Sequence, residues 1–254
     1  MRQIHRPQEL TALHRALWIA SGIISLAVLI CVTPANAQKT YTLSVSRHRD
    51  VPALSAQEIA QILAKASQML KKDTRHDSEN DVACNVAFAL KGPVRVFGSP
   101  DTPAVVDEHH IAAVHRVDDD LAGVDFHIKV VKKIKFCLPG VSAKQFDGCS
   151  YSPKEFRSTI VVHPSLHKDI EGRPISNYPD HLLWAHEFGH LTGLPHRCDD
   201  SALMSSDSVA RFANGPDARV HVTRDECRCF QSGPGVHPGQ GPCQPPPRIV
   251  TCSH

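Results

Sequence analysis

The chain has 254 residues, enough for one domain or two small ones. Of these, 41% are apolar and 21% charged, a balance that supports a buried core, so the chain need not be disordered. Of 28 basic and 26 acidic residues, three arginines (Arg2, Arg6, Arg15) and one glutamate (Glu9) lie within the first 37 positions, which leaves 25 of each and no net charge beyond them. A neutral remainder has no electrostatic footprint for nucleic acid or an anionic membrane, so neither partner is expected.

In chain order, a basic start leads into the seventeen-residue apolar run Ala16–Val32, then Thr33-Pro34 and the small-residue site Ala35-Asn36-Ala37. That is the pattern of a cleaved signal peptide, with Gln38 as the first mature residue. The competing reading is an uncleaved anchor, since the run sits at the short limit for spanning a bilayer; Ser21, Gly22 and Ser25 weaken that reading. Cys31 follows Ile30 rather than a small residue, which argues against a lipoprotein. The expected organisation is a signal at 1–37, a main domain at 38–231 and a Gly/Pro-rich tail at 232–254, with the mature protein soluble and secreted or periplasmic. Eight cysteines follow the signal, an even count that suggests a disulfide framework with 105 possible pairings.

Thr40–Ser46 alternates β-formers and reads as a strand. Ser55-Ala56-Gln57-Glu58 is a capping box, after which Ile59, Ile62, Leu63, Ala66 and Leu70 recur at helical spacing to about Lys72. Val82–Leu90, Val94–Phe97, Val124–Phe136 and Ser158–His163 read as strands. Leu138-Pro139-Gly140 and Asp147-Gly148 mark loops between Cys137 and Cys149, and a disulfide closing that eleven-residue loop is worth about 3 kcal/mol on the chain-entropy account. A second helix covers Asp180–Leu191, and a third, short one Val222–Phe230. Cys198 is expected to pair with Cys227 or Cys229, and Cys243 with Cys252. Strands alternating with two main helices give an α+β class with an α/β-type N-terminal part and an irregular, disulfide-linked C-terminal part.

One segment carries chemistry: His186-Glu187-Phe188-Gly189-His190-Leu191-Thr192-Gly193-Leu194-Pro195-His196. A spacing of four puts His186 and His190 on one helix face, a turn apart, where two imidazoles can grip one cation while Glu187 projects toward a metal-bound water. Gly193 lets the chain turn sharply out of the helix, and His196 returns as a third ligand. Three nitrogen ligands leave a fourth position open, the arrangement of one catalytic zinc rather than a structural one. Zinc lowers the water's pKa toward about 7 and polarises a carbonyl. Five fixed residues at this spacing arise by chance in roughly one sequence in ten thousand, which sets incidental histidines aside.

This motif with a methionine eight positions on, in Ala202-Leu203-Met204, resembles the metzincin metalloproteases; HEFGH and the short spacing are most similar to the matrix-metalloprotease and adamalysin-like branches. The resemblance implies a twisted mixed sheet, a zinc endopeptidase with Glu187 as general base, and Met204 as an apolar floor beneath the metal. It also implies an antiparallel edge strand that pairs with extended substrate, mapped by position alone to Gly148, Cys149, Ser150, Tyr151 and Ser152, for which an ordinary disulfide-tethered loop is the other reading. Arg197, after the third histidine, fits none of the familiar subfamily choices, and Ser206 stands where some branches carry a tyrosine. No cysteine-switch propeptide is found. Twelve further histidines after the signal, among them His109, His110, His163, His167 and His181, are read as surface or satisfied core residues, and Asp118-Asp119-Asp120 as a solvated turn without the ligand spacing of a calcium loop. The Lys132-Lys133 pair is read as a solvent face. The expected partner is a protein or peptide substrate. Two other readings are a catalytically inactive, zinc-stabilised binding module, disfavoured by retention of Glu187, and a zinc hydrolase of non-peptide amides.

Overall fold

The computed structural model describes residues 38–71, 82–117, 123–137, 146–151, 157–168, 171–175, 178–197, 202–205 and 220–234. The signal and anchor readings, Asp118–Asp120, Cys198, Ser206, Cys243, Cys252 and nearly all of the tail lie outside them. Among the described residues no helix is long and apolar enough to cross a membrane.

Strand β1 (Lys39–His48) is the spine of a six-stranded sheet. On one side it pairs in parallel with β2 (Val86–Leu90) and, further along, with β3 (Arg95–Phe97). On the other side lies β5 (Phe126–Val131), then β8 (Ser158–Val162), both parallel. The last strand, β7 (Gly148–Tyr151), runs antiparallel to β8 and forms the edge, with Gly148 opposite Val161 and Tyr151 opposite Ser158. This twisted, mostly parallel sheet with few helices is the α+β arrangement expected from the sequence, and Gly148–Tyr151 is the edge strand anticipated by position.

Helix α1 (Ala56–Lys71) starts where the capping box placed it: Glu58 Oε2 accepts from Ser55 N at 2.8 Å while Ser55 Oγ accepts from Glu58 N at 3.2 Å. Its apolar stripe, with that of α3 (Asp180–Leu191), packs on one sheet face against Leu43, Val45, Phe126, Ile128 and Val130. The opposite face carries a second, smaller core of Val131, Ile160 and Val162 beneath α2 (Ile111–Arg116).

The single strand expected over Val124–Phe136 is a correction. β5 stops at Val131, and β6 (Lys133–Ile134) pairs instead with β4 (Val105–Val106). The cause lies in another segment: Lys132 N and Lys133 N both donate to Ala104 O, which pulls the chain off the main sheet, and Lys135 N donates to Val106 O. The last helix, α4 (Arg224–Ser232), begins at Thr223, whose hydroxyl and backbone exchange hydrogen bonds with Glu226 in a second capping box.

The Cys137–Cys149 disulfide is present, with Cα atoms 5.6 Å apart, and ties the start of β7 to the loop before it. Pairing of Cys198 with Cys227 is overturned: Cys227 on α4 is bonded to Cys84, 143 residues away. Val82 N donates to Val222 O, which lays the entry to β2 beside the entry to α4 and brings those cysteines within 5.2 Å. Of the two partners considered for Cys198, Cys229 remains, and it is buried.

Candidate metal centre and active site

Helix α3 is buried on nearly every side, so its two faces serve two purposes. Phe188 points into the core, its ring centroid 4.9 Å from each of Tyr41, Phe88 and Phe126. The opposite face presents His186 and His190. Gly193, at φ 93°, turns the chain out of the helix, and the amide of Leu194 closes the turn on Gly189 O at 3.1 Å. His196 is thereby returned to the same point.

The three imidazoles converge through Nε2. His190 Nε2 lies 3.0 Å from His186 Nε2 and 3.1 Å from His196 Nε2. His186 Nδ1 is 2.7 Å from Leu203 O, and His190 Nδ1 is 2.7 Å from Leu194 O. A carbonyl can only accept, so these two rings carry their proton on Nδ1 and turn bare lone pairs toward one another. Burial, with the neighbouring His196, holds His186 at about 4, and burial with both neighbouring rings holds His190 well below the ordinary histidine range, so neither relieves the contact by protonation. Converging lone pairs of neutral nitrogens fit a cation among them. Tetrahedral coordination at about 2.0–2.1 Å spaces ligand nitrogens roughly 3.3–3.4 Å apart, close to what is found. These three histidines are the one group of three or more candidate metal ligands among the described residues.

Met204 is fully buried. Its sulfur sits so close to Gly189 that a β-carbon there would lie 2.4 Å from Sδ. The Met204 segment is stitched to the site: Leu203 O accepts from His186, and Arg197 N donates to Met204 O at 2.8 Å. Arg197 Nη1 reaches Glu226 Oε2 at 3.2 Å, which joins the residue after His196 to the first turn of α4.

Glu187 is 4% exposed, packed beneath the edge strand. Ser150 Oγ is 2.7 Å from Glu187 Oε2 and 2.7 Å from Glu187 O. A β-carbon on Gly148 would lie 2.2 Å from Glu187 Oε1. Burial pushes the carboxyl up to about 7, against hydrogen bonds from Ser150 and Thr159 and with the charge of Asp147 adding to the rise. A bound dication would pull it down again.

The structure thus brings His186, Glu187, His190, Gly193, His196, Met204, Gly148 and Ser150 to one place. Cys149 points to the opposite face, into the second core. Tyr151 ends the strand, and Ser152 is outside the described residues. Sequence reasoning passed over Gly189, although a glycine inside a helix costs about 1 kcal/mol relative to alanine and so marks a close approach. His167, read from the sequence as a surface or satisfied core residue, is buried at the head of α3, where it lies between Asp180 (3.1 Å) and Asp147 (3.3 Å) and stacks on Tyr178, whose hydroxyl donates to Asp147. Burial would lower His167, but the two carboxylates outweigh it and hold the imidazole above its ordinary value.

No family model and no curated protein matches the chain. Among solved structures it is similar to a zinc-dependent peptidase from Methanocorpusculum labreanum (14% identity, TM-score 0.43, covering 74% of this chain and 99% of that one). It is also similar to metalloproteinase-II from Bacteroides fragilis (15%, TM-score 0.39, 78% of this chain and 55% of that one). A third is OgpA from Akkermansia muciniphila (14%, TM-score 0.45, 81% of this chain and 64% of that one).

Proposed function

We propose that the chain is an exported zinc endopeptidase of the metzincin type, with protein or peptide substrates. The observation that carries this reading is the convergence of three Nε2 lone pairs, two fixed by Nδ1 donation to main-chain carbonyls, beside a buried carboxylate on the same helix. His186, His190 and His196 would hold the metal, which when bound supplies Lewis acidity toward a carbonyl and a water. Glu187 accepts the proton of the attacking water at its carboxylate and delivers it to the leaving amine. β8 occupies one side of β7, and among the described residues no strand lies on the other, so its main chain is free to pair with an extended peptide. Gly193 and Met204 shape the turn and the floor that keep the histidines in register.

The test is metal analysis together with cleavage of a denatured protein, with and without chelator. About one zinc per chain and chelator-sensitive cleavage are expected. Glu187→Gln retains the metal and loses at least about 100-fold in turnover, while His190→Ala loses both metal and activity. A zinc-loaded wild type that cleaves no peptide refutes the peptidase reading and favours the binding module.

A further inference from the structure

We infer that Ser150 is the positioning residue for the Glu187 carboxylate, an inference that rests on the peptidase reading above. Side chains alternate across a strand, so Gly148 and Ser150 share the face of β7 turned toward α3, while Cys149 faces away and is tied to Cys137. Ser150 Oγ contacts Glu187 at both its carboxylate and its main-chain carbonyl, each at 2.7 Å. It also lies 2.9 Å from Thr159 Oγ1 on β8. The hydroxyl has one proton to give, and given to the Glu187 carboxylate it bridges the strand to the helix at the residue that carries the base.

A glutamate side chain has three rotatable bonds, and restricting them costs free energy unless a partner selects one arrangement. Gly148 leaves the space and Ser150 fixes the oxygen within it. The same placement separates two duties within one strand. The main chain of β7 faces the open edge, whereas the Ser150 side chain is turned away from it and toward the base. Ser150 thus acts through Glu187, and its removal shows in turnover rather than in substrate affinity.

The test uses the zinc-loaded mature protein and its Ser150→Ala and Ser150→Thr variants. Each is measured for kcat and KM on a quenched peptide, for zinc content and for Tm, with a crystal structure of Ser150→Ala. The alanine variant is expected to keep its zinc and its KM and to stay folded at the assay temperature with a Tm only a few degrees lower, while kcat falls about 10- to 100-fold, the size of one lost hydrogen bond to a charged group. The threonine variant, which keeps the hydroxyl, recovers most of that loss. In the alanine crystal structure the Glu187 carboxylate leaves its position while the α3 backbone stays. The inference is overturned if kcat of Ser150→Ala stays within twofold of wild type, or if KM rises at constant kcat, which would make Ser150 a substrate contact. It is also overturned if the loss follows Tm and threonine does not recover it. A zinc-loaded wild type without peptidase activity fails the reading beneath it, a result visible before any variant is made.

Discussion

Gly148→Ala is expected to separate stability from catalysis. Gly148 does not have a positive φ, so its backbone suits alanine, and a glycine within a strand costs about 0.5–1 kcal/mol relative to alanine. The methyl group would nevertheless arrive 2.2 Å from Glu187 Oε1, 2.6 Å from Cδ and 2.7 Å from Cγ. Ordinary contact begins near 3.4 Å, so the carboxylate must withdraw by about 1.2 Å. What must give way is the Glu187 side chain from Cγ outward, rather than the strand or the helix. Stability should hold or rise by up to about 1 kcal/mol, or roughly 2–4 °C in Tm for a domain of this size. Turnover should fall on the order of 100-fold, since a displacement near 1 Å of a reacting group is worth about that much. Thermal denaturation, zinc analysis and peptide-cleavage kinetics read the three quantities. Wild-type kcat in a folded, zinc-loaded Gly148→Ala protein would refute the reasoning. A collapsed Tm would show that the glycine serves the backbone instead.

Three further outcomes follow from the same geometry. Arg197→Ser removes the cation from Glu226, whose side chain is 8% exposed, but Arg197 itself is 25% exposed and the Thr223 cap remains. The expected loss is about 1–2 kcal/mol by denaturant titration with zinc retained, and an unchanged midpoint would dismiss the ion pair as a brace. His167 has its folded-state pKa raised, so its contribution is full below the unfolded value near 6.5 and disappears as pH climbs through the folded value. The Tm gap between wild type and His167→Gln should therefore be widest in mild acid and narrow toward alkaline pH; a gap that widens with pH contradicts this. Finally, N-terminal sequencing of exported protein should begin at Gln38, and a mass retaining residues 16–32 would replace the signal peptide with an anchor.

The parts legible in the sequence are those whose code is local. His186, His190, Gly193 and His196 lie within eleven consecutive positions, and the geometry of a helix and a glycine turn is enough to bring them together. The Ser55 capping box and the boundaries of α1 and α3 are local in the same sense. What escaped depends on meetings between distant segments. Ser150 and Glu187 are 37 residues apart, Arg197 and Glu226 are 29 apart, and Cys84 and Cys227 are 143 apart. Periodicity says nothing about which face of an edge strand meets which residue of a helix. The break after Val131 was hidden for a related reason: VDFHIKVVKKIKF is strand-like throughout, and the carbonyl of Ala104 decides where the main sheet lets go.

A surface helix has one wet stripe and can fray or breathe independently of its domain. α3 has almost none: Phe188, Leu182 and Leu191 are sealed against the sheet, and Gly189 is pressed against Met204. Its amides should therefore be among the slowest in the domain to exchange with solvent, and His186 and His190, carried on that helix, share its protection. The spacing of the ligands is in this sense a property of the entire core. A destabilising substitution far away, in β1 or α1, would reach the histidines by raising the population of the opened domain, without altering their arrangement in the molecules that remain closed.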